Sequence, residues 1–137
     1  MIHILKKLLF ACFAVLVTVI VLLSCNKEPG TGGNSTIYGK VLVRNYNSTF
    51  TLLKEIYPGQ DETVYLIYGD DRSYSDHIKS TYDGSWEFKY LRPGNYHVYC
   101  YSKDSSLQTN ALIPIIRDVT IKKHHQEVEV PTMVIIK

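Results

Sequence analysis

At 137 residues, 45% of them hydrophobic, and with a formal charge of +2, the chain has room for one domain and lacks the basic excess that nucleic-acid binding needs. Lys6 and Lys7 lie in the N-terminal segment, so the remainder is close to neutral. These figures exclude a nucleic-acid partner and leave a polar-surfaced globule behind an apolar leader.

The leader begins "MIHILKK" and continues without a charge from Leu8 to Cys25. A basic start, an apolar run and a small residue near its end predict a secretory signal over residues 1–24. Leu22-Leu23-Ser24-Cys25 resembles the lipobox of bacterial lipoproteins, in which a small residue precedes the cysteine that becomes the new N-terminus. The resemblance implies diacylglycerol on the Cys25 sulfur, a further acyl chain on its amine, and a lipid-anchored place in the cell envelope. The membrane would be an outer membrane, with the domain facing the periplasm or the surface. Several chains, at about 0.8 kcal/mol per buried methylene, make a durable anchor. Two alternatives stay open on the same residues: an uncleaved membrane helix, and plain secretion with Cys25 unmodified. Cys12 leaves with the signal and Cys25 takes lipid, so Cys100 stands without a disulfide partner and is expected to be buried.

Residues 25–36 include "NKEPGTGGNST", which has no apolar periodicity and reads as a flexible tether. Beyond it, residues 37–137 alternate with period two and are rich in β-branched and aromatic side chains. Strands are expected near Ile37–Arg44, Thr63–Tyr68, Ser75–Thr81, Trp86–Tyr90, Tyr96–Ser102, Arg117–Lys122 and Glu127–Ile136. The insert over residues 45–60 could be a long loop, an edge strand or a helical turn. Seven or more short strands separated by turns predict an all-β sandwich.

The segment "TYDGSWEFKYLRPGNYHVYCY", Thr81 to Tyr101, reads locally as scaffold. Asp83-Gly84 signals a tight hairpin turn, and Pro93-Gly94 signals a second reversal. Trp86, Phe88 and Leu91 are assigned to the core, with Glu87 and Lys89 toward water. On the returning strand Tyr96, Val98 and Cys100 share one face, and His97, Tyr99 and Tyr101 share the other.

Ile37, Gly39 and Val41, followed by Asp83, Gly84, Trp86, Phe88, Leu91, Pro93, Gly94, Tyr96 and Val98, resemble the carboxypeptidase regulatory-like and Cna-B-like domains. The resemblance implies a transthyretin/prealbumin-like sandwich of seven strands or more over roughly Ile37–Ile136. It departs from the family pattern in the long insert after Arg44 and in "KDSSLQTNALIP". Lipid-tethered domains of this kind are similar to exported lipoproteins of Bacteroidetes-type bacteria.

Chemistry is sparse. Some Cna-B-like domains carry a Lys–Asn isopeptide bond, but the last strand holds no Asn, so Lys40 is read as solvated. The transthyretin-like hydrolases need a C-terminal Tyr-Arg-Gly-Ser, whereas this chain ends "MVIIK". His124 and His125, near Glu127 and Glu129, would point to opposite faces of a strand and are read as a polar turn. Asp70, Asp71, Ser73 and Asp76 lack the alternating ligands and terminal Glu of a calcium loop. Neither a catalytic constellation nor a cofactor or metal site is expected.

One surface stands out. If Thr63–Tyr68 and Tyr96–Ser102 are neighbours, their outward faces bring together Tyr65, Ile67, Tyr99 and Tyr101. An aromatic face of this kind suits a protein partner or a sugar ring, unless the 45–60 insert folds over it and buries Phe50, Leu52, Leu53 and Ile56 there. The expected function is a non-enzymatic, membrane-anchored structural or protein-interaction module of the envelope, with a glycan-binding lipoprotein as the alternative.

Overall fold

The structure, a computed structural model, describes Lys6 and residues 28–106 and 110–137. The expected signal and the Cys25 anchor lie outside the described residues. The strands in chain order are β1 (Thr31–Tyr46), β2 (Leu53–Pro58), β3 (Thr63–Tyr68), β4 (Asp76–Lys79), β5 (Ser85–Leu91), β6 (Gly94–Lys103), β7 (Leu112–Ile121), β8 (Glu127–Glu129) and β9 (Met133–Ile136). They form a sandwich of a five-stranded and a four-stranded sheet.

The five-stranded sheet is organised on β1. Its first half pairs antiparallel with β5 and parallel with β8. Its second half pairs antiparallel with β2 and parallel with β9. Alternation along β1 buries Ile37, Val41 and Val43 and leaves Lys40 and Arg44 outside, the period expected of a strand covered on one face. The expected final strand is split at Pro131, which has no N–H for a ladder, after Val130 has bonded to the Tyr38 carbonyl at 2.8 Å. The second sheet runs β4-β3-β6-β7, antiparallel throughout. Between the sheets lie Ile37, Val64, Leu66, Trp86, Tyr96, Val98 and Met133, all buried. Cys100 joins them, its thiol 3.8 Å from the Met133 sulfur and pushed up to about 12 by burial.

The strand directions define two ends. At the near end β1 begins, beside the turns 69–75, 92–93 and 122–126. At the far end are the loop 47–52 and the C-terminal Lys137, whose carbonyl accepts from Tyr46 N–H at 2.9 Å.

The structure alters several expectations. Thr31 to Thr36, expected in the tether, are strand. Gly30 N–H donates to the Tyr96 hydroxyl at 3.0 Å, and Arg92 N–H donates to the Gly30 carbonyl at 2.9 Å. Buried Ser35 donates to the Lys123 carbonyl and accepts from Gln126 N–H, at 3.2 and 3.1 Å. Polar residues are ordered here because distant backbone supplies their partners, which no local periodicity announces.

The Asp83-Gly84 turn does not close a hairpin between paired strands. β4 and β5 belong to different sheets, so the turn carries the chain across the sandwich. Gly84 sits at φ 81°, and a Cβ there would lie 2.4 Å from the Val41 carbonyl oxygen. Its own carbonyl accepts from Val41 N–H at 2.8 Å, which explains why nothing larger fits. The Asp83 carboxylate accepts from Thr81 Oγ1 and Ser85 Oγ, each at 2.6 Å, and from Ser85 N–H. These donors hold its pKa far below the ordinary carboxylate range.

Pro93-Gly94 is a second crossing, from β5 to β6, braced by the Tyr96 hydroxyl donating to the Arg92 carbonyl at 2.6 Å. Tyr90, at φ 60°, supplies the irregularity that buries both Phe88 and Leu91 despite their odd spacing. The insert resolves as an edge strand, β2, with Tyr57 opposite Val43 and turned to the core.

A candidate contact face of tyrosines

On β3 and β6 the buried residues are Val64, Leu66, Val98 and Cys100, so the intervening side chains occupy the outer face of the four-stranded sheet. The register aligns one row straight across it: His77 of β4, Tyr65 of β3, Tyr99 of β6 and Ile116 of β7. Tyr101 lies one step along β6, opposite Pro114, and Ile67 lies one step along β3, opposite His97.

The four residues expected on this face are therefore brought to one surface. Three of them form a ring cluster. Tyr65 and Tyr99 stack with centroids 4.8 Å apart and planes 13° apart. Tyr101 meets both edge-on, at 5.7 and 5.6 Å. Tyr74 leans on Tyr65 at 5.1 Å, and His77 meets Tyr74 edge-on at 5.6 Å. Ile67 borders the cluster on the His97 side. There His97 Nδ1 and Asp118 Oδ1 lie 2.6 Å apart, and Thr120 Oγ1 donates to Asn95 Oδ1 at 3.0 Å.

The insert does not cover this face. β2 pairs with β1 in the opposite sheet, and Leu52, Leu53 and Ile56 stay 62%, 40% and 51% exposed. Tyr101, Tyr74 and Ile116 are 43%, 50% and 49% exposed. Because Tyr65 and Tyr99 spend a ring face on each other, the surface offered outward is ring edge, phenol oxygen and aliphatic side chain. The open aromatic surface is that of Tyr74 and Tyr101. Burial, with Tyr101 second, raises the Tyr99 pKa above the ordinary phenol value.

Sequence reasoning missed Tyr74, His77 and Ile116. Tyr74 lies among Asp70, Asp71 and Asp76, where the sequence signal is oxygen ligands and not a ring. Ile116 was lost because β7 begins at Leu112, five residues before the expected start at Arg117; the apolar run "LIPII" was the available signal.

The other candidates dissolve into local structure. Asp71 accepts from Ser75 Oγ at 3.2 Å, and Asp76 accepts from His77 N–H at 2.8 Å. His125 is held by Asn34, whose side-chain oxygen accepts its N–H at 3.1 Å and whose amide nitrogen lies 2.9 Å from Nε2. Lys40 pairs loosely with Asp83 at 3.8 Å. Among the described residues no three of His, Cys, Asp and Glu group to hold a metal. A cleft of about 440 Å³ lies beside Gly39 and Trp86. Of its charged rim, Lys40 and Lys79 pair with Asp83 and Asp61, and Glu87 pairs with Lys89.

No protein-family model and no curated protein matches the sequence. Among solved structures the chain is similar to a candidate carbohydrate-binding protein from Pseudomonas aeruginosa, with 12% identity, 79% of this chain and 91% of that one covered, and a TM-score of 0.47. It is also similar to (S)-allantoin synthase, with 12% identity, 76% of this chain and 42% of that one covered, and a TM-score of 0.41. At such identity and overlap, neither likeness bears on what this chain binds.

Proposed function

We propose that this chain is an exported, non-enzymatic interaction module, anchored by lipid on Cys25, whose contact surface is the tyrosine face. The observation that supports it is the uncovered cluster of Tyr65, Tyr74, Tyr99 and Tyr101 with Ile116 on one sheet face. Water-facing strands ordinarily carry charged or hydroxyl side chains, and contiguous exposed aromatics mark contact sites. The partner this reading favours is a protein of the same envelope, since a mixed surface of ring edges, phenols and aliphatic groups matches the composition of protein interfaces. The fold is assigned to the transthyretin type of the carboxypeptidase regulatory-like domains. In support, the matched Asp83-Gly84 and Pro93-Gly94 pairs both sit at crossings between the sheets.

A glycan ligand is the second reading. It is favoured by the open rings of Tyr74 and Tyr101 and by the adjacent polar pairs His97–Asp118 and Asn95–Thr120. The experiment is a mild-detergent pull-down of the lipoprotein tagged after Lys137, at the end remote from the tether. A stoichiometric protein captured by the native chain and lost with Tyr99→Ala/Tyr101→Ala supports the protein reading. The double variant should cost about 1.5–4.5 kcal/mol of stability, since one stack and two edge contacts go at about 0.5–1.5 kcal/mol each. Capture of oligosaccharide, lost with the same pair, transfers the face to the glycan reading. Capture of neither removes the face as a binding site.

A further inference from the structure

The bonds around Gly30 have a geometric consequence for the anchored protein. The 12 residues from Cys25 to Thr36 were expected to be a flexible spacer holding the domain off the membrane. Instead the domain begins at Pro29 and Gly30. Gly30 is buried and bonded through its N–H to the Tyr96 hydroxyl and through its carbonyl to Arg92 N–H. Pro29 packs so close to Gly94 that a Cβ there would come within 2.6 Å of it. Only Asn26, Lys27 and Glu28 separate Cys25 from Pro29. The five steps from Cys25 to Gly30 span at most about 18 Å, at roughly 3.6 Å per extended residue. By comparison β1 runs about 40 Å from the near end to the far end over Ser35 to Tyr46, Thr31 and Ser35 both lying opposite Leu91.

From this we infer that the bilayer carrying the anchor is itself a docking partner: the sandwich stands end-on, with its near-end turns 69–75, 92–93 and 122–126 against the lipid headgroups. The inference rests on the proposed lipidation of Cys25. With a tether this short, a domain whose strands run about 40 Å cannot lie far off the surface, and the attachment point lies at one end of the strand direction.

The near end carries Arg92, Lys122 and Lys123 but also Asp70 and Asp71. With both signs present, the tether and not electrostatic attraction sets the orientation, which therefore persists on zwitterionic lipid. The strands then rise along the membrane normal, and the tyrosine face becomes a flank. Tyr99 lies five residues above Gly94 on β6, about 17 Å. The tyrosine row is thus held within about 35 Å of the headgroups, a height that fits a membrane-bound neighbour approaching from the side.

The test uses the full lipoprotein, purified from membranes and reconstituted in phosphatidylcholine vesicles bearing nitroxide on a fraction of the headgroups. Ser73→Cys places a fluorescent label at the near end, and Ser48→Cys places one at the far end. Buried Cys100, its thiol pushed up to about 12, stays unlabelled. The expected result is quenching at Ser73→Cys several-fold greater than at Ser48→Cys, unchanged by adding anionic lipid. A long Gly-Ser segment inserted between Glu28 and Pro29 should erase the difference. Equal quenching at the two sites in an acylated, vesicle-bound protein overturns the orientation alone. An N-terminal mass without acyl chains overturns the anchoring reading and the orientation with it.

Discussion

Removing one oxygen atom tests how the N-terminal stretch is held. In Tyr96→Phe the ring remains in place, fully buried, with its edge contact to Tyr68 at 5.9 Å. The apolar area removed from water is therefore unchanged, and only the hydroxyl is lost. That hydroxyl accepts from Gly30 N–H at 3.0 Å and donates to the Arg92 carbonyl at 2.6 Å. Each bond is worth about 1 kcal/mol net, and a buried group left without a partner costs about 1–3 kcal/mol. The combined loss should be about 3 kcal/mol. For a domain of this size that lowers Tm by roughly 12–24 °C, at about 4–8 °C per kcal/mol. Urea denaturation should show a lower midpoint at unchanged slope, because the exposed area on unfolding is the same. Hydrogen exchange should show the Gly30 amide losing protection more than the amides of β3. A loss below about 1 kcal/mol, or unchanged protection at Gly30, would refute the claim that this hydroxyl fastens the chain, since the cost of an orphaned buried donor would be missing.

Other outcomes follow from the same geometry. Gly84→Ala should cost about 3 kcal/mol or more, because a left-handed backbone and a clash with the Val41 carbonyl coincide there. Gly69→Ala, at φ 53° with its nearest neighbour a tolerable 3.6 Å away, should cost only about 1 kcal/mol, and equal losses in thermal melts would contradict this. The Asp83 pKa is depressed by Ser85 and Thr81, so its stabilisation is present above the unfolded-state value near pH 4 and is lost as pH falls through the lower folded-state value. Asp83→Asn should accordingly flatten the stability profile below about pH 4 and leave the profile's slope between pH 6 and 8 alone. The Cys100 thiol should resist iodoacetamide at pH 8 in the folded protein and react rapidly in urea. Rapid native labelling would place it outside the core.

Local pattern carried much of the architecture. The period-two alternation of Tyr96, Val98 and Cys100 against His97, Tyr99 and Tyr101 is a property of strand geometry, so both the buried thiol and the aromatic outer face were legible before any fold was known. The turn positions were legible for the same reason: Asp-Gly and Pro-Gly prescribe backbone angles whatever surrounds them. Turn chemistry says that the chain reverses but not which sheet receives it. Both reversals proved to be crossings of the sandwich, decided by how β4, β5 and β6 are shared between sheets. The extent of the tyrosine face depended on cross-strand register, which brought His77 and Ile116 into line with Tyr65 and Tyr99. The first residues of β1 depended on contacts still more remote. The Gly30 bond to Tyr96 spans 66 positions, and those of Asn34 and Ser35 to the 122–126 turn span about 90. A polar segment without hydrophobic period looks like a tether in sequence, and only the donors and acceptors that folding delivers make it part of the domain.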